Sequence, residues 1–456
     1  MMNKETNINF EVKIMLENSV YYDLPSDAPR TPDRTDLCLA WERGINLWAE
    51  ESYRRMNCDE SKVRSYTLPP LPDTKEEWEK QRPGILKAFE ECLYGPLPPA
   101  PEKVELELLA ENDAALNGIA LRREYRVHCF HQGRHFDFDM MLYVPKNAMG
   151  PVPVFEILNF KGNQSGFDPD IRPTRSADYG PRRWHGDAPS AQPRAVGDDF
   201  YTLAVSRGYG VATAAYGEIF PDNLDGFRKS IFRLFYDDLR PDCEVSLEEL
   251  KEGRKRNMGA ISAWAWGLSR MADALETIDL VDSTRLAVAG HSRLGKAALW
   301  AGANDTRFKL VISNNSGHGG ATLSRRNFGE SLTALWMLRS NWFCENMVRY
   351  AGLEDELPID QHQLLALMAP RALYVASSSK DFVADFKGEY LSAFHASKIW
   401  HHYGMEGVTS PEMPPENAPT GGMVRYHVKT GPRSMTLYDW EQYCSFADEV
   451  FRKGDK

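Results

Sequence analysis

Short apolar runs that alternate with helical stretches constrain the fold of this chain more than any other feature of its sequence. From Val152 onward, six runs of five to seven residues are largely apolar, as is typical of strands buried on both faces. Between two of these runs, apolar residues recur from Ile261 to Leu275 at the spacing of one helix face. The pattern predicts a mostly parallel, twisted sheet in a three-layer α/β sandwich. The six runs are residues 154–158, 209–215, 285–289, 309–313, 372–376 and 424–428.

The segment before Val152 has a different pattern. Three runs there alternate apolar and polar residues, which indicates strands with one exposed face, and they are preceded by helical stretches between proline-rich breaks. Two long loops rich in proline and glycine, residues 163–195 and 404–422, are of the kind that usually shapes a binding site. The predicted elements are strands at residues 104–108, 125–129 and 138–144 and helices at residues 36–56 and 75–92.

Composition and charge narrow the possible partners. Forty-two per cent of the 456 residues are hydrophobic, which is ample for a packed core. The net charge of −11, without a basic stripe, disfavours nucleic acid and anionic membranes as partners. No apolar run approaches the roughly 18 residues of a membrane span, and from the polar start we expect no signal peptide. Seven scattered cysteines show neither a disulfide framework nor metal spacing, so we expect a cytoplasmic, bacterial-type protein without a metal.

The strongest local signal is the heptapeptide Gly-His-Ser-Arg-Leu-Gly-Lys at residues 290–296. An apolar strand leads into it and a helix of small residues follows, so Ser292 is predicted to stand exposed at a sharp strand-to-helix turn. The N-terminus of such a helix favours the negative charge of an oxyanion. The second glycine lies three residues after the serine instead of the usual two. An ordinary turn with an incidental serine is the alternative interpretation.

The same heptapeptide resembles the Gly-x-Ser-Arg-x-Gly-Lys signature of the glucuronoyl esterases, carbohydrate esterase family fifteen, including the displaced glycine. The resemblance covers roughly residues 57–450 and implies an α/β-hydrolase fold for residues 57–456. Residues 1–56 lie outside it and are predicted to form an N-terminal helical extension. Further segments that resemble the family are residues 57–61, 66–69, 159–163, 208–212, 264–268, 360–362 and 369–371.

The resemblance implies a role for five side chains in a serine esterase that needs no metal or cofactor. Ser292 corresponds to the nucleophile, Arg293 to the residue that supports the oxyanion, and Asp381 to an acid found in some members. Lys296 corresponds to a lysine that contacts the uronate sugar, and Glu330 to a glutamate that binds sugar hydroxyls. Each of the last two has a simpler alternative: Lys296 as a surface salt bridge and Glu330 as a helix cap.

Three positions depart from the family pattern. Asn315 replaces the glutamate that serves as the acid in one group of members, although Asp381 keeps the acid of the other group. Val383 replaces a tryptophan that packs on the sugar. Arg433 replaces the triad histidine, and a guanidinium cannot accept the serine proton near neutral pH. Because losing a triad member costs on the order of 10⁴ to 10⁶ in kcat, the standard mechanism should fail.

Several side chains could take the place of the missing base, and Arg433 itself has two possible roles. His318, in the loop after a strand, is the best-positioned substitute, and Lys296 is another if it is desolvated. His427 is expected to be a core histidine. Arg433 either pairs with Asp381 or forms a cationic pocket with Lys296 and Arg293 that would suit a free carboxylate.

Two functions follow from these residues. The first is a divergent serine carbohydrate esterase, resembling 4-O-methyl-glucuronoyl methylesterases, with weak or non-standard catalysis on a small uronic-acid or sugar ester. The second is a catalytically silent protein of the same fold that binds an anionic carbohydrate. Ser292, Asp381 and Glu330 favour the first function, whereas Arg433 favours the second.

Overall fold

The computed structural model of the chain describes residues 56–166, 168–175, 199–223, 226–237, 239 and 257–452. The predicted helix at residues 36–56 and nearly all of the predicted N-terminal extension lie outside the described residues. Residues 176–198, which make up most of the first long loop, also lie outside the described residues. The division into an extension and one large domain therefore stays a prediction.

A ten-stranded mixed sheet runs through the described chain, with the order β1-β2-β3-β5-β4-β6-β7-β8-β10-β9. Its central part, from β5 through β4, β6, β7 and β8 to β10, is parallel, and β1–β3 extend it as an antiparallel meander. The strands are β1 Lys103–Ala114, β2 Ala120–His131, β3 Arg134–Pro145, β4 Val152–Asn159, β5 Gly210–Ala215, β6 Val281–His291, β7 Phe308–Asn314, β8 Ala372–Ser378, β9 Thr420–Gly421 and β10 Val424–Lys429.

Eight α-helices longer than four residues accompany the sheet in the described part of the chain. They are α1 Lys75–Phe89, α2 Phe200–Ser206, α3 Ala260–Leu275, α4 Arg293–Asn304, α5 Leu332–Arg339, α6 Gln361–Ala366, α7 Phe386–His402 and α8 Leu437–Arg452. Single helical turns lie at Ala115–Gly118, Tyr216–Ile219 and Gly226–Lys229. Further 3₁₀ or π turns lie at Glu60–Lys62, Glu90–Tyr94, Asn163–Ser165, Ile231–Leu234, Ser340–Trp342, Glu345–Tyr350 and Glu354–Glu356.

Alternating side chains of the strands build two hydrophobic cores, one on each face of the sheet. In β6, Val288 faces the core that contains α3, α4, α6 and α7, while Ala287 and Ala289 face the core that contains α2 and α8. Side chains that alternate in this way require cover on both faces. The predicted three-layer α/β-hydrolase sandwich is confirmed.

All nine predicted strands are present, and the one that the sequence pattern misses, β9, is only two residues long. The predicted helix from Lys75 begins at the Thr74 cap, whose hydroxyl accepts from the Glu77 N–H at 3.2 Å. It ends as an α-helix at Phe89 and continues as a π turn to Tyr94. Within the described ranges, no helix combines the length and the apolar character that crossing a bilayer requires.

The close approach of β6 to α4 yields a test of the fold. A Cβ on Gly290 would lie 2.0 Å from the Leu294 carbonyl oxygen, whereas a Cβ on Gly84, in α1, would meet nothing within 4 Å. We expect Gly290→Ala to lower the free energy of unfolding by about 1–3 kcal/mol or more, because the strand and helix must separate. The matched Gly84→Ala variant should raise it by about 0.5–1 kcal/mol. Urea unfolding measures both, and equal effects would contradict the close contact.

Candidate functional site

Ser292 occupies the strained turn between β6 and α4. Its backbone has φ 58° and ψ −128°, a region that residues with a Cβ rarely adopt. The Ser292 N–H donates to the Asn314 carbonyl at 2.9 Å, and the Ser292 carbonyl accepts from the Gly295 N–H at 2.9 Å. These two bonds tie the turn to β7 on one side and to the helix on the other. The serine is thereby fixed at the carboxyl edge of the parallel strands.

The two glycines of the heptapeptide have separate steric roles. Gly290 leaves room for the Leu294 carbonyl, as described above. A Cβ on Gly295 would lie 3.0 Å from the Gly290 carbonyl oxygen and 3.1 Å from the Ser316 Cβ. The displaced second glycine is therefore located where the first turn of α4 passes both β6 and the loop after β7.

Arg433, from the loop after β10, reaches the serine directly. Its Nη2 donates to Ser292 Oγ at 2.7 Å and to the Asn315 carbonyl at 3.2 Å. Its Nε lies 3.6 Å from Asp381 Oδ2, and the Arg433 side chain is 30% exposed whereas that of Asp381 is 2% exposed. The guanidinium therefore stands between the hydroxyl of the serine and the carboxylate of the aspartate, so the predicted Arg433–Asp381 pair is formed.

Asn315 is hydrogen-bonded to Asp381, the acid that the chain retains. Its Nδ2 donates to Asp381 Oδ2 at 3.0 Å, and its Oδ1 accepts from Ser378 Oγ at 3.2 Å. Ser378 in turn accepts from Lys429 Nζ at 2.6 Å. The carboxylate of Asp381 is consequently shared between an amide and a guanidinium, with no imidazole among these partners.

Lys296 is buried below the serine instead of being exposed. Lys296 is only 1% exposed, and its Nζ donates a hydrogen bond to the Ser316 carbonyl. Burial lowers the pKa of this amine to about 8. The alternative of a surface salt bridge is therefore wrong. As the structure stands, the amine bonds to a backbone carbonyl and not to the Ser292 hydroxyl.

The Arg293 side chain points into a buried aromatic cage. Its guanidinium pairs with Asp222 and lies over the Trp342 ring at 4.8 Å and the Phe160 ring at 5.5 Å. Burial acts to raise the pKa of Asp222, but Arg293 and Arg339 outweigh it and hold that pKa below its ordinary value. Because Asp222 balances the Arg293 charge, the predicted three-cation pocket is weaker than the sequence implies.

His318 and Glu330 line a pocket of about 690 Å³ whose lining does not include Ser292. His318 Nε2 lies 2.9 Å from the Phe328 carbonyl, and burial lowers the pKa of His318 to about 4. The Glu330 N–H donates to the Val383 carbonyl at 2.9 Å. Since Ser331 caps α5 with its own side chain, the helix-cap alternative for Glu330 is wrong. His318 is not directed at the serine as a base would be.

The other described histidines near the site also bond elsewhere. His291 Nδ1 lies 2.6 Å from Asn314 Oδ1, and burial lowers the pKa of His291 to about 3. His427 is fully buried in β10, with Nε2 2.9 Å from Asp439 Oδ1 and Nδ1 2.8 Å from the Tyr374 hydroxyl. His427 is a core histidine, as the sequence predicts, whereas His291 is half-buried at the end of β6.

Comparisons with known proteins identify the family of this chain. A family model described as glucuronyl esterase, fungi, matches residues 252–404. The carbohydrate esterase MZ0003, from an unknown prokaryotic organism, is 37% identical over 91% of this chain and 96% of its own length. The chain belongs to the glucuronoyl esterases, carbohydrate esterase family fifteen. Two solved structures are also similar. A glucuronoyl esterase from Solibacter usitatus has TM-score 0.75 and 38% identity over 86% of this chain and all of its own. A promiscuous family-fifteen esterase from a marine bacterial metagenome has TM-score 0.74 and 35% identity over 87% of this chain and all of its own.

The structure adds a residue to this glucuronoyl esterase site that sequence reasoning missed. Glu389, in α7, is fully buried and accepts from the Gly317 N–H at 2.9 Å and from Ser377 Oγ at 2.6 Å. It therefore holds the loop after β7, which carries Asn315, against the end of β8. No motif marks this glutamate, because its partners come from distant segments of the chain. Asp222 and Trp342 were missed for the same reason.

The burial of Glu389 predicts a dependence of stability on pH. Burial raises the pKa of this carboxyl to about 7, with Asp381 raising and Arg433 lowering it to smaller extents. Because the unfolded-state pKa is lower, about 4.3, the favourable contribution is complete below that value and is lost as the pH rises through 7. We expect wild type to lose on the order of 1–3 kcal/mol more than Glu389→Gln between pH 5 and 8.

Urea unfolding at several pH values measures this difference. The matched control is Glu412→Gln, which changes an exposed glutamate in the loop after α7. This control should follow the wild-type pH dependence. Parallel curves for wild type and Glu389→Gln would show that the carboxyl is not protonated in the folded protein at pH 5.

Proposed function

We propose that this glucuronoyl esterase family member hydrolyses a small ester of a uronic acid, with Ser292 as the nucleophile and with weak, non-standard catalysis. The observation that carries the proposal is the strained Ser292 turn, whose hydroxyl accepts a 2.7 Å bond from Arg433. A serine held in this way at the N-terminus of a twelve-residue helix has the geometry of a nucleophile. The names of the relatives, glucuronoyl esterase and carbohydrate esterase, support the substrate class.

The permanent positive charge of Arg433 stabilises anions in the site but does not help to remove a proton. A guanidinium that donates to Oγ stabilises the serine alkoxide and any negative charge on the neighbouring carbonyl oxygen of the ester. It cannot accept the proton that the serine must lose. The rate is therefore limited by proton removal, not by stabilisation of the oxyanion. The free uronate product carries a carboxylate that Arg433 can bind in paired hydrogen bonds, so product should bind more tightly than ester.

Aromatic side chains support the carbohydrate part of the proposal. Phe382, next to Val383, is 44% exposed, and its ring lies 6.4 Å from that of Phe328. Exposed aromatic surface of this kind suits the apolar face of a sugar ring. Phe382 can thus restore part of the stacking surface that Val383 lacks. Glu330, bonded to the Val383 carbonyl, lies beside this surface.

A second candidate function is a protein that binds free uronate without turnover. The bond from Arg433 to Ser292 and the position of its Nε 3.6 Å from Asp381 favour it, because they fill the base position with a permanent cation. A cytoplasmic location, where imported oligosaccharides would be the substrates, stays part of either proposal.

The first experiment compares hydrolysis of benzyl glucuronate with that of a simple acetyl ester, using wild type and Ser292→Ala. We expect slow turnover of the glucuronate ester that disappears in Ser292→Ala, with labelling of Ser292 by a fluorophosphonate. Absence of both in a folded protein, together with uronate binding that Arg433→Ala weakens, would replace the esterase proposal by the binding function.

Serine-dependent turnover would require a base, which the pH profile identifies. Lys296 must be neutral to accept a proton, so catalysis through it should increase as the pH rises through about 8. A limb near 4 would indicate His318, whereas a limb near 6.5 would indicate an imidazole of ordinary pKa. Lys296→Met and His318→Ala then test the two groups. His185 is a second histidine to change, and it lies in the segment outside the described residues.

Restoring an imidazole at position 433 should raise activity. Arg433→His places a group that can accept a proton near Ser292 and Asp381, so we expect kcat on benzyl glucuronate to rise by about 10-fold or more. The profile should gain a limb near pH 6.5. Arg433→Lys, which keeps the charge, should show no such gain. Adding Val383→Trp should lower KM if the sugar ring packs there. No gain in a folded Arg433→His protein carrying Val383→Trp would contradict the position assigned to Arg433.

A further inference from the structure

Two histidines and an aspartate meet on the surface of the antiparallel end of the sheet. His128 Nδ1 lies 2.9 Å from His135 Nε2, and His135 Nε2 lies 3.7 Å from Asp137 Oδ2. The three ligand atoms all lie within 4.8 Å of one another. Two imidazole nitrogens and a carboxylate oxygen at these separations form one side of a coordination sphere.

The strand register brings these groups together. His128 in β2 stands directly opposite Asp137 in β3, and His135 precedes Asp137 by two residues on the same strand. Because side chains alternate between the faces of a strand, all three point to the same face. The alternate residues Val127 and Cys129 are fully buried on the other face. The cluster is therefore a fixed product of the pairing of β2 with β3.

Glu107, from the neighbouring strand β1, orients the first histidine. Its Oε2 lies 3.2 Å from His128 Nε2, and an ionised carboxylate can only accept a hydrogen bond. With the proton on Nε2, the Nδ1 lone pair of His128 is directed toward His135 and Asp137. A carboxylate behind a histidine in this way is the usual outer partner of a metal ligand, because it fixes the tautomer and raises the basicity of the ring.

Asp137 keeps one oxygen for the cluster. Its Oδ1 pairs with Arg175, whereas Oδ2 is the atom that faces His135. Arg126, two residues before His128 on the same strand, pairs with Asp139 at 2.9 Å. The positive side chains around the cluster are thus engaged by carboxylate oxygens other than the one directed toward the histidines.

We propose that His128, His135 and Asp137 bind one divalent first-row transition-metal ion, such as Zn²⁺, with water completing the coordination. The two nitrogens need to move apart only from 2.9 Å to about 3.3 Å, the edge of a tetrahedron with Zn–N bonds of about 2.0–2.1 Å. Imidazole ligands select such ions over Ca²⁺ and Mg²⁺, which prefer oxygen. The ion would connect β2 with β3, and Glu107 would link it to β1. This site is separate from Ser292, whose neighbours follow β6, β7, β8 and β10.

Zinc binding to the full-length, chelator-treated protein tests the proposal. Wild type should bind one equivalent of Zn²⁺ by equilibrium dialysis, and its Tm should rise with the zinc concentration because the metal binds the folded state. His135→Ala and Asp137→Asn should each weaken binding by at least about 10-fold. Glu107→Gln should weaken it by about 10-fold while leaving the stoichiometry at one. His401→Ala, which removes an exposed histidine of α7, is the matched control and should bind as wild type does.

The variants remain interpretable because the His135 side chain is 41% exposed, so its loss leaves no buried cavity. The Tm of each chelator-treated variant checks that it is folded. Co²⁺ gives a second readout, since imidazole coordination changes its visible spectrum and His135→Ala should abolish that change. If wild type and His135→Ala take up zinc equally, or if wild type takes up none, the contact between the two rings is only an N–H···N bond and the proposal is wrong.

Discussion

The contact between the end of β6 and the first turn of α4 is the constraint on which the Ser292 site depends. Gly290 has no room for a Cβ beside the Leu294 carbonyl, and between these two residues the chain turns through the positive φ of Ser292. A positive φ on a serine persists only where the surroundings fix it, and here the bond from its N–H to Asn314 in β7 does so. The sheet, the turn and the helix therefore hold the hydroxyl in place independently of the residue that faces it.

Arg433 changes the electrostatics of that place more than its shape. A triad histidine is neutral at rest and becomes cationic during the reaction, whereas a guanidinium is cationic throughout. The resting site therefore contains the charge that a histidine would supply only transiently. Asp381, 3.6 Å from the Arg433 Nε, balances this charge both at rest and during the reaction. The site is therefore better suited to binding an anion that already exists, such as a carboxylate, than to forming an alkoxide by removing the serine proton.

The sequence predicted the strands and the position of Ser292 because both depend on local pattern. The buried strands β4, β6 and β7 can be predicted from their apolar composition. A serine between a strand and a helix of small residues can be predicted from the local sequence alone, without knowledge of its partners. The direction of a side chain cannot be predicted in this way. Lys296 turns to the Ser316 carbonyl and His318 to the Phe328 carbonyl because those acceptors lie in folded loops. The roles of Glu389 and Asp222 could not be predicted because their partners are remote in sequence.

The polar groups beneath the site explain how an arginine is tolerated there. A partly buried cation is costly unless it is paired, and the turn after β6 and the loops after β7 and β8 provide the partners of Arg433. Asn315 donates to Asp381 at 3.0 Å, so this carboxylate has a neutral partner as well as Arg433. A glutamate at position 315 would instead place two carboxylates together, with Arg433 as the cation between them. Asn315 and Arg433 are therefore best understood as one joint change: the asparagine removes a negative charge beside Asp381, and the arginine places a positive charge 3.6 Å from it.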